Sequence, residues 1–116
     1  MHVIIGGEMT HKGYLKNENG FLDDNSPKRI YEIASSLGVA DFVIPGNKPE
    51  KAMEYVNLIK TKIKNPVFYS PGLVTQGGNI SDLAKKLDSW HAIIGRAIYE
   101  AEDMEKAAEE FAKSLL

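Results

Sequence analysis

Four short apolar runs punctuate the chain: His2 to Gly6 (HVIIG), Asp41 to Pro45 (DFVIP), Pro66 to Ser70 (PVFYS) and His91 to Gly95 (HAIIG). Each is bounded by glycine, proline or a small polar residue, as short buried strands are, and the lack of strict alternation predicts cover on both faces. Between them the period becomes helical. In SPKRIYEIASSLG, Ser26 reads as the cap and Pro27 as the first helical residue, with Ile30, Ile33, Ala34 and Leu37 on one face and Gly38 past the end. In NKPEKAMEYVNLIKTKIK, Asn47 reads as the cap with Glu50 three residues on, ahead of the stripe Met53, Val56, Ile59 and Ile63. A shorter helix is expected in ISDLAKKLDSW after Asn79. A last one begins near Asp103 and is expected to bury Ala107, Ala108, Phe111, Ala112 and Leu115.

The order is therefore β-α-β-α-β-α-β-α, the rhythm of βα units feeding a parallel sheet in one α/β domain spanning residues 1–116. A small open sheet and half of a closed barrel both fit. A half-barrel would leave two unpaired strand edges and an apolar concave face, so it would need another chain, a second copy or an upstream segment. His11 to Asn25 (HKGYLKNENGFLDDN) interrupts the rhythm as a long loop, either a solvated insertion or an active-site cover.

Charge and composition narrow the partners. Acidic residues outnumber basic ones, 16 to 14, and the lysines are scattered, so no nucleic-acid surface is advertised. A small anion remains available to backbone dipoles and an arginine. With no cysteine, disulfides, thiol catalysis and thiolate metal sites are excluded. The apolar opening is too short for a signal peptide or membrane span, so a soluble cytoplasmic protein without a membrane partner is expected.

Candidate chemistry clusters after the strands. SPGLVTQGG (Ser70 to Gly78) carries three glycines, which let backbone amides approach an anion, and Gln76, whose amide can both donate and accept. Gly95 and Arg96 directly follow the fourth strand, where the guanidinium either grips phosphate oxygens or makes a structural salt bridge at a helix start. In a barrel, the last two βα loops often form one phosphate site. After the first strand, Glu8, Thr10 and His11 would share that end: Thr10 could bond a planar base, and His11 could act as acid or base or be a polar loop residue. Asn47 is explained as a helix cap. The histidines show no metal-ligand spacing, so no metal is assigned.

The motifs EMTH (Glu8 to His11), SPGLVTQGG (Ser70 to Gly78) and IIGRAIYEAEDMEKAA (Ile93 to Ala108), in that order, resemble the C-terminal half of archaeal-type orotidine 5'-phosphate decarboxylase over essentially the whole chain. The resemblance implies four βα units forming half of a (β/α)8 TIM barrel, completed by a complementary N-terminal half or by self-association. It also implies a lyase of pyrimidine biosynthesis that makes UMP from orotidine 5'-monophosphate without metal or organic cofactor. Under it Thr10 contacts the pyrimidine, the Pro71 loop closes over the ligand, Gln76 bridges phosphate and pyrimidine, and Gly95 with Arg96 holds phosphate. The family's lysine and aspartate catalytic network has no matching segment here, so no catalytic residue is assigned and the chain is expected to be inactive alone. A noncatalytic nucleotide- or phosphate-binding homo-oligomer, or half of a hexulose phosphate synthase-like enzyme, are the alternatives.

Overall fold

A computed structural model of the chain describes residues 1–74, 83 and 85–115. Strands β1 (Ile4–Gly6), β2 (Asp41–Val43), β3 (Val67–Ser70) and β4 (Trp90–Ala92) form one sheet in the order β1-β2-β3-β4, every neighbour parallel. Helix α1 (Ser26–Ser36) follows β1, α2 (Pro49–Lys60) follows β2, and α3 (Arg96–Tyr99) and α4 (Met104–Ser114) both follow β4, an arrangement matching half of a (β/α)8 barrel. None of the helices described is long and apolar enough to cross a membrane.

The strand register separates the two faces of the sheet. Ile5, Phe42, Phe68 and Trp90 form one row. Phe42 and Phe68 in that row are buried among Tyr31, Ala52, Val56, Ile59 and Leu73 beneath the helices. The next row, Gly6, Val43, Tyr69 and His91, points the other way because side chains alternate along a strand, and no residue of it is fully buried. The expected cover on both faces is thus found on one. On the concave face Asp41 accepts a hydrogen bond from the Tyr69 hydroxyl at 3.1 Å and pairs with His2 Nε2 at 3.2 Å, while Tyr69 stacks on His91.

Helix α1 is rotated from the predicted face: Pro27, Tyr31, Ala34 and Ser35 are buried, whereas Ile30, Ile33 and Leu37 are exposed. Tyr31 decides this. Its hydroxyl donates to the Val43 carbonyl at 2.7 Å and accepts from the Glu8 N–H at 3.3 Å, which pins that side of the helix to β1 and β2. Asn25, not Ser26, is the cap residue, so Ser26 takes the first helical position expected of Pro27 and the proline stands second. Helix α2 buries Ala52, Tyr55, Val56 and Ile59, with Met53 and Ile63 packed at the margin. Asp103 caps α4 by accepting from the Lys106 N–H at 2.9 Å. The burial expected of α4 fails, however: Ala107 and Phe111 are half-buried, while Ala108, Ala112 and Leu115 lie exposed because nothing among the described residues packs on that side. Of the helix expected over residues 80–90, residues 80–82 and 84 lie outside the described residues; Leu83 is helical and buried, but residues 85–89 form turns and bends around the buried Leu87, and Trp90 already belongs to β4.

The His11 to Asn25 segment is folded. Leu15 is buried, a 3₁₀ turn runs over Lys16–Glu18, and an isolated bridge joins Leu15 to Leu22. The loop is tight enough that a β-carbon on Gly20 would stand 2.2 Å from the Gly13 carbonyl oxygen.

Candidate functional site

In a parallel sheet all strand carboxyl ends share one edge, and there the loops after β1, β2 and β3 interlock. The Gly46 N–H donates to the Pro71 carbonyl at 2.9 Å. A β-carbon on Gly46 would stand 2.5 Å from that same oxygen, so no side chain fits. Asn47 Nδ2 donates to the Thr10 carbonyl at 2.8 Å, which replaces the helix-cap role expected of it; Lys48 occupies the cap position of α2. Gly72, at φ +79°, lies directly against Thr10.

Two of the expected site segments, Thr10 and the Pro71 loop, therefore touch. The third lies beside them: Gly72–Val74 form one wall of a shallow cleft whose other wall is Ile93, Ile94, Gly95 and Ala97. Arg96 opens α3 next to Gly95, is exposed, and makes no ion pair with any described residue, so the salt-bridge role finds no partner among them. Gln76 and Thr75 lie outside the described residues. His11 is exposed, with its ring edge on Tyr14.

A buried ionic network went unnoticed in the sequence. Glu8 is 3% exposed and accepts a hydrogen bond from the Tyr55 hydroxyl. Lys48 Nζ lies 3.0 Å from Glu8 Oε2 and 3.0 Å from Glu18 Oε1, tying the folded loop after β1 to the start of α2. Burial pulls the Lys48 ammonium toward neutrality, but Glu18 and Glu8 outweigh it and hold its pKa above the ordinary lysine value. The hydrogen bond from Lys48 in turn holds the Glu18 carboxyl below its ordinary range. Burial, reinforced by Glu8, pushes the Tyr55 phenol up. Lys48 is thus a charged clamp rather than a free base. Glu8 and Lys48 are forty positions apart, and Lys48 reads locally as one more polar residue before a proline. The placing of Glu8 at the ligand-facing edge was the single signal available.

No protein-family model matches the chain. It is homologous to archaeal orotidine 5'-phosphate decarboxylases over about half their length. The enzyme of Methanococcus maripaludis strain S2 is 36% identical over 110 residues, which are 94% of this chain and 46% of the relative. That of Methanocaldococcus jannaschii is 34% identical, over 97% of this chain and 49% of the relative. The crystal structure of orotidine 5'-monophosphate decarboxylase from Methanocaldococcus jannaschii, complexed with the inhibitor BMP, superimposes with a TM-score of 0.80 at 27% identity. The match covers 97% of this chain and 48% of that one.

Proposed function

We propose that this chain is the C-terminal, phosphate- and pyrimidine-binding half of an orotidine 5'-phosphate decarboxylase-type barrel, and that alone it does not decarboxylate. The observation that carries the reading is that Thr10 packs on the Gly72 turn and that turn faces Gly95 across one cleft, with Arg96, which makes no ion pair with any described residue, beside it.

The ligand is orotidine 5'-monophosphate or UMP, in pyrimidine biosynthesis in the cytoplasm. The Gly95 N–H and the Arg96 guanidinium take the phosphate, which a planar fork of donors grips better than a point charge does. Thr10 meets the pyrimidine, Pro71 and its loop close over the nucleotide, and Gln76 spans its two ends. Phosphate contacts far from the reacting carbon help catalysis by supplying binding energy that organises the closed site. The groups that would protonate C6 belong to a complementary half-barrel. Lys48 does not replace them, because Glu8 and Glu18 both hold its ammonium.

A noncatalytic nucleotide-binding assembly is the second reading, favoured by the uncovered concave face of the sheet. Titration calorimetry with UMP tests the shared part: binding is expected and should weaken by about 10- to 100-fold in Arg96→Ala, the loss of a charge-assisted contact. Equal affinity of the two proteins would refute the phosphate role. Orotidine 5'-monophosphate turnover by preparations free of host enzyme, abolished by Arg96→Ala, would refute the claim of inactivity.

A further inference from the structure

Asn19 and Gly20, in the folded loop between β1 and α1, are the one asparagine–glycine step in the sequence. At such a step the peptide nitrogen of the glycine can attack the side-chain amide of the asparagine with no β-carbon to obstruct the approach. The fold holds the two groups apart. Asn19 stands at φ 63° and ψ 27°, in the left-handed region, where it is the only non-glycine residue among those described with a positive φ. That ψ turns the Gly20 nitrogen away from the Asn19 β-carbon, and the Gly20 N–H donates to the Leu15 carbonyl at 2.7 Å. Bringing nitrogen and amide carbon together means breaking that bond and swinging Gly20 against its neighbours. A β-carbon on Gly20 would already stand 2.4 Å from the Tyr14 carbonyl carbon, so the closed loop has no room for the swing.

Two sets of contacts keep the loop closed. Within it, the Lys16 N–H donates to the Leu22 carbonyl at 2.8 Å and the Leu22 N–H to the Tyr14 carbonyl at 3.2 Å, around the buried Leu15. From outside, Lys48 at the start of α2 grips Glu18, the residue before Asn19, through both carboxylate oxygens, at 3.0 and 3.3 Å. The Glu18 side chain is partly in water, so this bridge is the latch most easily released.

We propose that Asn19 is a latent deamidation site that the Lys48–Glu18 bridge keeps shut, and that its conversion to isoaspartate in the open loop prevents the loop from closing again. In the open loop the Gly20 nitrogen bonds to Asn19 Cγ, the Cγ–Nδ2 bond breaks, and the amide nitrogen leaves as ammonia with the proton that Gly20 gives up. Water then opens the cyclic imide. Attack at the main-chain carbonyl of residue 19 gives isoaspartate, and attack at Cγ gives aspartate. Isoaspartate routes the main chain through an extra methylene and leaves the former main-chain carbonyl carbon as a free carboxylate. The Gly20 N–H is thereby displaced from the Leu15 carbonyl, and the new negative charge stands beside Glu18 and competes with it for Lys48. The inference concerns the chemistry of this loop alone and is independent of the nucleotide reading.

Peptide mapping by mass spectrometry, on the purified chain held at mildly alkaline pH, follows the loss of Asn19. The folded chain should deamidate there about 10-fold or more slowly than a synthetic peptide of residues 14–22, in which nothing holds Gly20. Glu18→Gln should speed the reaction by about 2- to 5-fold, the weight of a part-exposed ion pair. In the same variant amide exchange should rise at Gly20 and stay unchanged at Phe42 in β2. Lys51→Gln removes a lysine that pairs with Glu54 and not with the loop, and it should match the unsubstituted chain. A folded chain as fast as the peptide would overturn the proposal, as would a peptide that keeps Asn19 intact. So would a Glu18→Gln chain no faster than Lys51→Gln, or one whose exchange rises equally at Gly20 and Phe42, since the opening would then be that of the whole fold.

Discussion

Gly72 lies so close to Thr10 that a β-carbon built on the glycine would stand 2.8 Å from the Thr10 Cγ2 atom. Residues from the first and third βα loops are thereby packed without a gap, and the φ of +79° at Gly72 adds a conformation that L side chains rarely adopt. Gly72→Ala should therefore destabilise the fold by about 1–3 kcal/mol. It should also weaken UMP binding more than its stability loss explains, because the displaced segments are two of those proposed to meet the nucleotide. Urea unfolding and calorimetry on the same preparation separate these effects; unchanged affinity would detach the Thr10 contact from the site.

The Lys48 clamp should show an asymmetry between its two carboxylates. Glu8 is buried, so Lys48→Met strands a carboxylate that retains the Tyr55 hydroxyl and loses its cation, at a cost of about 3 kcal/mol. Glu18 has a side chain 32% exposed, and water replaces much of what Glu18→Gln removes, for less than about 1 kcal/mol. Equal losses in urea titrations of the two variants would show that Glu8 is not the principal partner.

The same network sets the pH limits of stability. Hydrogen bonding from Lys48 lowers the Glu18 pKa in the folded chain, so its contribution is present above the ordinary carboxylate value of about 4.3 and fades as pH falls through the lower folded one. Lys48 and Tyr55 both titrate higher in the folded chain. Their contributions are full below the ordinary values, about 10, and are lost as pH rises through the higher folded ones. Thermal unfolding should therefore show a fall above about pH 10 that Lys48→Met blunts. An alkaline limb of the same depth in that variant would place its origin elsewhere.

Strand positions and the alternation of elements were legible in the sequence because β-rich apolar runs between glycine and proline are local signals. Gly95, Arg96 and Thr10 were legible as candidates because they lie at, just after or a few residues beyond the end of such a run, and Pro71 through the resemblance of the motif that holds it. The buried face of α1 was not, since Ile30, Ile33 and Leu37 have the spacing of a core stripe and yet stand outside it. What turns the helix is the Tyr31 hydroxyl bonding to Val43, a contact with no local signature. The clamp of Glu8, Glu18 and Lys48 was hidden for the same reason: its members come from three separate segments, and only the folded chain brings them within 3.0 Å.

Asn47 offers the sharpest separation of local from tertiary meaning. As a helix cap it would be replaceable by aspartate, because both side chains accept from the first turn of a helix about equally well. In the structure its Nδ2 instead donates to the Thr10 carbonyl at 2.8 Å, and a carboxylate has no proton to donate there. Asn47→Asp would face a carbonyl oxygen with a negative charge across a part-buried contact, costing about 1–3 kcal/mol, whereas a capping role predicts almost no change. Because Thr10 is held through this bond, UMP affinity should fall in Asn47→Asp while the far-UV circular dichroism of α2 is preserved. Stability and affinity matching the unsubstituted chain would restore the capping role and leave Thr10 positioned by Gly72 alone.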